Sequence, residues 1–99
     1  MSTVRPDPAS ALIQESLQHR SDGNLSSART LLERAIRQSQ SAHNRVRAYI
    51  ELGKILDQLG KRQSAQSCFR RVMSLTDDWT YRDEARRLFR RRSGGLRLR

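Results

Sequence analysis

The sequence has little of what most small secreted proteins and metalloproteins depend on. It has one cysteine among 99 residues, so it can form neither a disulfide framework within one chain nor a zinc site of paired cysteines. Aromatic residues make up 5% of the chain. Long hydrophobic runs are absent, and this absence argues against a membrane-spanning helix. The first ten residues, MSTVRPDPAS, lack the apolar core of a secretory signal. These absences predict one small cytoplasmic domain.

Motifs for catalysis or metal binding are also missing. His19 and His43 are 24 residues apart and belong to no metal-ligand spacing. The sequence has no nucleophile elbow, phosphate-binding glycine loop or paired acid–base motif. Cys68 lies on the apolar side of its predicted helix, as a small core residue does. We therefore expect no enzymatic activity, no metal and no cofactor.

The sequence does have helical periodicity, and turn residues divide it into five predicted helices without a strand pattern. Asp7 is the predicted N-cap of the first helix, with Pro8 in its first turn. Gly60 is predicted to end the third helix as a C-terminal cap. The helices are expected at about 8–20, 25–38, 42–59, 62–75 and 80–92, in a helical domain of residues 7–92 between a flexible leader at 1–6 and an Arg/Leu tail at 93–99.

The second and fourth helices carry the same apolar pattern 37 residues apart. Their apolar residues follow the spacing i, i+3, i+4, i+7 and i+8, which forms one face of an α-helix. The same offset relates Gly23 to Gly60, so the repeating unit is a helix–turn–helix pair. The third helix is apolar over most of its surface and contains Gly53, which predicts a buried, closely packed helix in the middle of a stack. The matching positions are Ala28, Leu31, Leu32, Ala35 and Ile36 against Ala65, Cys68, Phe69, Val72 and Met73.

Residues 48–75, AYIELGKILDQLGKRQSAQSCFRRVMSL, resemble a tetratricopeptide repeat. The expected closing proline is absent, and residues 12–36 look like a degenerate first copy in which His19 replaces a large apolar residue. Because the 37-residue offset exceeds the usual period of about 34, we place the extra residues in the connection near 39–44. The resemblance is carried by Tyr49, Leu52, Gly53, Leu56, Gly60, Ala65, Phe69 and Val72.

The resemblance implies an all-α fold, in which about five antiparallel helices stack as helical hairpins in a short α-solenoid with a C-terminal capping helix. It also implies a concave face, lined by the first helix of each pair, that binds a peptide or helix of another protein. The chain would then be a non-catalytic adaptor or assembly factor. A full carboxylate clamp is not implied, because Ile50, Glu51 and Lys54 occupy the clamp positions. By matching positions, the groove residues are Ile13, Leu17, Arg20, Arg47, Ile50, Lys54 and Asp57.

Basic residues are concentrated at the end of the chain. Residues 86–99 contain seven arginines and no acidic residue, whereas the C-terminus of a helix is satisfied by one or two cations. The excess indicates an anionic partner, with RNA or DNA, an acidic protein surface and an anionic membrane face as the alternatives. Nearby, Phe89 is expected in the core and Trp79 as a partly exposed contact. The cluster consists of Arg86, Arg87, Arg90, Arg91, Arg92, Arg97 and Arg99.

Overall fold

The computed structural model describes residues 7–91, which form five α-helices and no strand. The all-α prediction is confirmed, and each helix begins and ends within two residues of its predicted boundary. The expected leader at 1–6 and tail at 93–99 lie outside the described residues, as do Arg92, Arg97 and Arg99. The helices are α1 (Pro8–Ser21), α2 (Leu25–Gln38), α3 (Ala42–Gln58), α4 (Arg62–Leu75) and α5 (Trp79–Arg90).

Side-chain caps and glycines set the helix ends. The Asp7 carboxylate accepts a hydrogen bond from the backbone N–H of Ala9 at 3.1 Å, as predicted for an N-cap. Gly23 and Gly60 have φ angles of 84° and 80°, a left-handed conformation that favours glycine and turns the chain sharply after a helix. The chain therefore reverses direction twice at equivalent points, once after α1 and once after α3.

The helices pack as two hairpins followed by a single helix. α1 packs against α2 and α3 against α4, while α2 contacts α3 and α4 contacts α5. The first helices also meet, because α1 contacts α3 and α3 contacts α5. The middle helix α3 is buried on several sides, as its apolar residues predict. Its buried residues are Val46, Ala48, Ile50, Leu52, Gly53, Ile55 and Leu56.

Gly53 permits the close approach of α3 and α4. A Cβ atom built on Gly53 would lie 2.7 Å from Cζ of Phe69 and closer still to Cε1. Phe69 is 1% exposed, so its ring has no free space into which to move. The predicted close packing at Gly53 is confirmed, and the aromatic ring of α4 is the group that requires it.

The extra residues of the repeat are helical, which corrects the predicted placement in a connection. The first helices begin 34 residues apart at Pro8 and Ala42, and 37 apart at Ala42 and Trp79. Both connections between hairpins, 39–41 and 76–78, contain three residues. The difference is therefore an additional turn at the start of α3, which lengthens this helix to 17 residues against the 14 of α1.

The two end helices each bury one of the two faces that α3 buries. At the 37-residue offset, the α3 positions that face α4 correspond in α1 to Ala9, Ile13 and Ser16, which are buried. In α5 the equivalent positions hold Asp83, Arg87 and Arg90, of which Arg87 and Arg90 are exposed. Conversely, Ala85 is buried like its equivalent Ala48 in α3, whereas the α1 counterpart is exposed. α5 therefore caps the stack, with a polar outer side where a following second helix would pack.

Candidate functional site

The first helices of the stack present one continuous surface that crosses α1, α3 and α5. We call it the first-helix face, and it corresponds to the surface predicted for partner binding. Its side chains are half-buried and mostly charged, over a core of apolar residues. Its members are Leu17, Arg20, Arg47, Glu51, Lys54, Asp57 and Glu84.

A chain of alternating charges runs across this face. Arg20 of α1 contacts Glu51 of α3 at 3.2 Å between Nη1 and Oε1. Lys54 lies 3.3 Å from the other oxygen of Glu51 and reaches Glu84 of α5 at 3.2 Å. Arg20 Nε also donates to Gln58 Oε1 at 3.0 Å. Because these groups are 20–37% exposed, each ion pair contributes less than about 1 kcal/mol to folding, but together they align the three helices and fix the charges of the face.

The structure brings most of the predicted groove residues to this face, but some of them are buried beneath it and are not accessible to a partner. Ile13 and Ile50 are 0% and 2% exposed and belong to the core. They support the face from beneath, since an apolar side chain at the centre of a helix stack is covered by its neighbours. Leu17 is half-buried against the same core.

Arg47 and Asp57 are the members of the face whose charges are available to a partner. Both are half-exposed on α3, and within residues 7–91 neither side chain forms an ion pair. They are ten residues apart on one helix, which corresponds to about 15 Å along its axis. Sequence reasoning missed Glu84 of α5, although the 37-residue offset places it opposite Arg47 in the repeat.

The described part of the arginine cluster lies on the outer side of α5, the helix that also contributes Glu84 to the first-helix face. Arg86, Arg87, Arg90 and Arg91 are exposed. Arg87 Nε lies 3.3 Å from the Asp83 carboxylate, one turn earlier on the same helix.

The aromatic residues next to the cluster differ in exposure. Phe89 is half-buried against the core, as expected, and its ring lies 5.6 Å from the guanidinium of Arg70. Trp79, at the other end of α5, is 74% exposed, which makes it an accessible contact.

The cysteine and His19 lie in environments typical of side chains with a structural role. Cys68 is buried, and burial, reinforced by the nearby charge of Glu33, raises the pKa of its thiol to about 11. His19 Nε2 lies 3.8 Å from Glu15, at the edge of a shallow cleft between α1 and α2. No cluster of three or more metal-ligating side chains occurs among the described residues. None of the five helices is long and apolar enough to cross a bilayer.

The arrangement of these helices defines a class of protein, the helical-hairpin repeat proteins, whose units stack to share one core. Residues 46–78 match the family model of the tetratricopeptide repeat, and this range contains α4, the turn before it and most of α3. The chain therefore contains a tetratricopeptide repeat at residues 46–78. Comparison with curated proteins and with solved structures gives no match. The repeat suggests a protein–protein interaction module.

Proposed function

We propose that the chain is a non-catalytic adaptor or assembly factor that binds a peptide or helix of another protein on its first-helix face. The observation that carries this proposal is the tetratricopeptide repeat at residues 46–78, whose first helix α3 lies at the centre of that face. Repeats of helix pairs form extended concave surfaces of this kind and use them for binding.

The charges of the face indicate what kind of segment it accepts. Within the face, three basic residues stand beside three acidic ones, and the central four neutralise one another across the helices. Arg47 and Asp57 remain available at opposite ends of α3. A partner segment with an acidic group near Arg47 and a basic group near Asp57 would complement both, and such complementarity fixes register and specificity.

A charge swap on the face tests this proposal. The double variant Arg47→Glu/Asp57→Arg reverses both available charges, leaves the net charge at +10 and leaves the central ion pairs intact. We expect the tagged full-length variant to capture at least about tenfold less partner protein from its own cells than the wild type does. The reason is that like charges would then face each other across the interface. The captured proteins are quantified by mass spectrometry.

A matched swap outside the face serves as the control. Arg71 and Asp77 are exposed on α4 and the following connection, and Arg71→Glu/Asp77→Arg makes the same exchange of charge there. Both variants should unfold within about 0.5 kcal/mol of the wild type, as exposed substitutions usually do. Equal capture by the wild type and the face variant, or equal loss in both variants, would contradict binding on this face.

A further inference from the structure

The outer side of α5 has a charge that its capping role does not explain. At the positions equivalent to those where α3 packs against α4, α5 carries Asp83, Arg87 and Arg90, with the exposed Arg86 beside them, and Asp83 forms an ion pair with Arg87. A capping helix needs a polar outer side to keep the stack soluble, but it does not need one of a single sign. The excess of positive charge therefore indicates an anionic ligand.

The opposite end of the stack provides the comparison within the same chain. There the outer side of α1 consists of Ala11, Glu15 and Gln18, which are exposed and together carry one negative charge. This small polar surface is sufficient to end the stack at α1. The arginines at the α5 end thus exceed what solubility requires by several charges.

Arginines from α4 extend this basic surface. Arg62 Nη2 donates to the backbone carbonyl of Arg91 at 2.9 Å, which draws its guanidinium to the C-terminus of α5. Arg70 lies over the ring of Phe89. We call the resulting surface the arginine patch, and its members are Arg62, Arg70, Arg86, Arg87, Arg90 and Arg91.

We propose that the arginine patch binds duplex DNA, with the outer side of α5 in the major groove and its guanidinium groups on the phosphates. Guanidinium groups form forked hydrogen bonds with phosphate oxygens, and duplex DNA carries one negative charge for about every 1.7 Å of its axis. The described residues leave the outer side of α5 uncovered, and the major groove of B-form DNA is about 12 Å wide, which admits an α-helix.

The composition of the patch favours DNA over other polyanions. The strongest contacts of protein–protein interfaces combine arginine with tryptophan and tyrosine, whereas the patch offers arginines alone, because the Phe89 ring is half-buried beneath Arg70. Single strands are bound by stacking of bases on exposed aromatic rings, and Trp79 lies at the far end of α5. Duplex RNA has a deep, narrow major groove that does not admit protein side chains readily.

The proposal is independent of protein binding on the first-helix face and is tested with the full-length chain. Binding of a 20-base-pair DNA duplex, an RNA duplex of the same sequence and polyglutamate is measured by fluorescence anisotropy between 50 and 200 mM salt. We expect the DNA to bind more tightly than the other two probes. Its affinity should fall steeply with salt, with a slope of about −0.9 for each phosphate contacted.

Two variants with the same net charge locate the binding site. Arg86→Gln/Arg90→Gln removes two charges from the patch, and Arg34→Gln/Arg37→Gln removes two exposed charges from α2. We expect the patch variant to bind DNA at least about tenfold more weakly at 100 mM salt and its salt slope to fall by about two units. The α2 variant should change by less than about threefold, because its charges are screened from a ligand on α5.

Several outcomes would overturn the proposal. Equal losses in the two variants would show attraction by net charge alone. Polyglutamate binding as tight as that of DNA would point to an acidic protein, and equal binding of the RNA duplex would exclude docking in the major groove. If circular dichroism shows that the patch variant is unfolded, Arg90→Gln/Arg91→Gln replaces it, with the same expected loss of affinity.

Discussion

At the scale of single residues, the repeat is preserved by paired exchanges in its core. The second hairpin combines Gly53 with Phe69, whose ring occupies the space of a side chain at the glycine. At the equivalent positions of the first hairpin stand Ser16 and Leu32, both buried, and the Ser16 hydroxyl donates to the Ile13 carbonyl at 2.7 Å. The first hairpin therefore combines a larger residue on its first helix, Ser16 in place of glycine, with a smaller one on its second helix, Leu32 in place of phenylalanine.

Replacement of Gly53 by alanine tests this exchange. In an open helix the change would stabilise the protein by about 1 kcal/mol, but here the new methyl group meets the Phe69 ring, and overpacking of a core costs about 1–3 kcal/mol. We expect a net loss of stability in urea denaturation.

The compensated variant Gly53→Ala/Phe69→Leu provides the control for this prediction. It should lose less stability than the sum of its single changes, because the smaller side chain makes room for the methyl group. A Gly53→Ala variant at least as stable as the wild type would contradict the close packing.

At the scale of helices and their connections, polar residues repeat as regularly as apolar ones. In the α2–α3 connection, the Ser39 hydroxyl accepts from the N–H two residues later and Arg45 donates to the Ser39 carbonyl at 3.2 Å. In the α4–α5 connection, Thr76 accepts in the same way and Arg82 donates to its carbonyl at 3.2 Å. The first turn of α3 and of α5 is thus anchored to the end of the preceding helix by an arginine.

These connections show what the sequence could and could not predict. Apolar periodicity and turn glycines were sufficient for the five helices and for the central position of α3, because burial imposes the 3.6-residue period. The arginine anchors have no apolar signal, and the sequence shows only that Arg45 and Arg82 recur at the 37-residue offset. Glu84 was missed for the same reason, since it joins the face through an ion pair with Lys54.

Asp7 ties α1 to the connection that follows α2. Its carboxylate caps α1 and accepts hydrogen bonds from Ser39 Oγ at 3.0 Å and from Asn44 Nδ2 at 2.9 Å. The hydrogen bond from Asn44, more than any other contact, holds the pKa of Asp7 below its ordinary value of 3.8. Asp7 therefore stabilises the fold above that value, and its contribution is lost as the pH falls through the lowered pKa.

The pH dependence of an Asp7→Asn variant tests this role. Asparagine can also cap a helix but has no charge to lose, so the wild type should be the more stable of the two at pH 6. The difference in unfolding free energy, measured in urea, should shrink at pH 3. A difference of the same size at both pH values would show that the Asp7 charge does not contribute.

At the scale of the whole molecule, the ends of the stack differ from its middle. Of the three first helices within residues 7–91, α3 is packed against helices on both sides, whereas α1 and α5 each leave one polar side uncovered by the described residues. A stack that ends in polar sides does not attract a second copy end to end. The two surfaces proposed for binding share α5, which contributes Glu84 to the first-helix face and its outer arginines to the arginine patch.

Within residues 7–91 the outer sides of α1 and α5 are polar, which predicts a monomer. Light scattering after size exclusion should give a mass near 11.5 kDa across the micromolar range, because neither polar end offers an interface core. A mass that rises to twice this value with concentration would show that a further copy completes the stack.

The central claim is that the chain works by binding another protein. The most direct test is to purify the tagged chain from its own cells with and without nuclease and to compare the proteins bound to it. The tagged full-length protein is purified in parallel under both conditions, and the bound proteins are quantified by mass spectrometry. The account predicts at least one protein retained in near-equal amount after nuclease treatment. If every captured protein is released by nuclease, the arginine patch would carry the function and the helical repeat would serve as its scaffold.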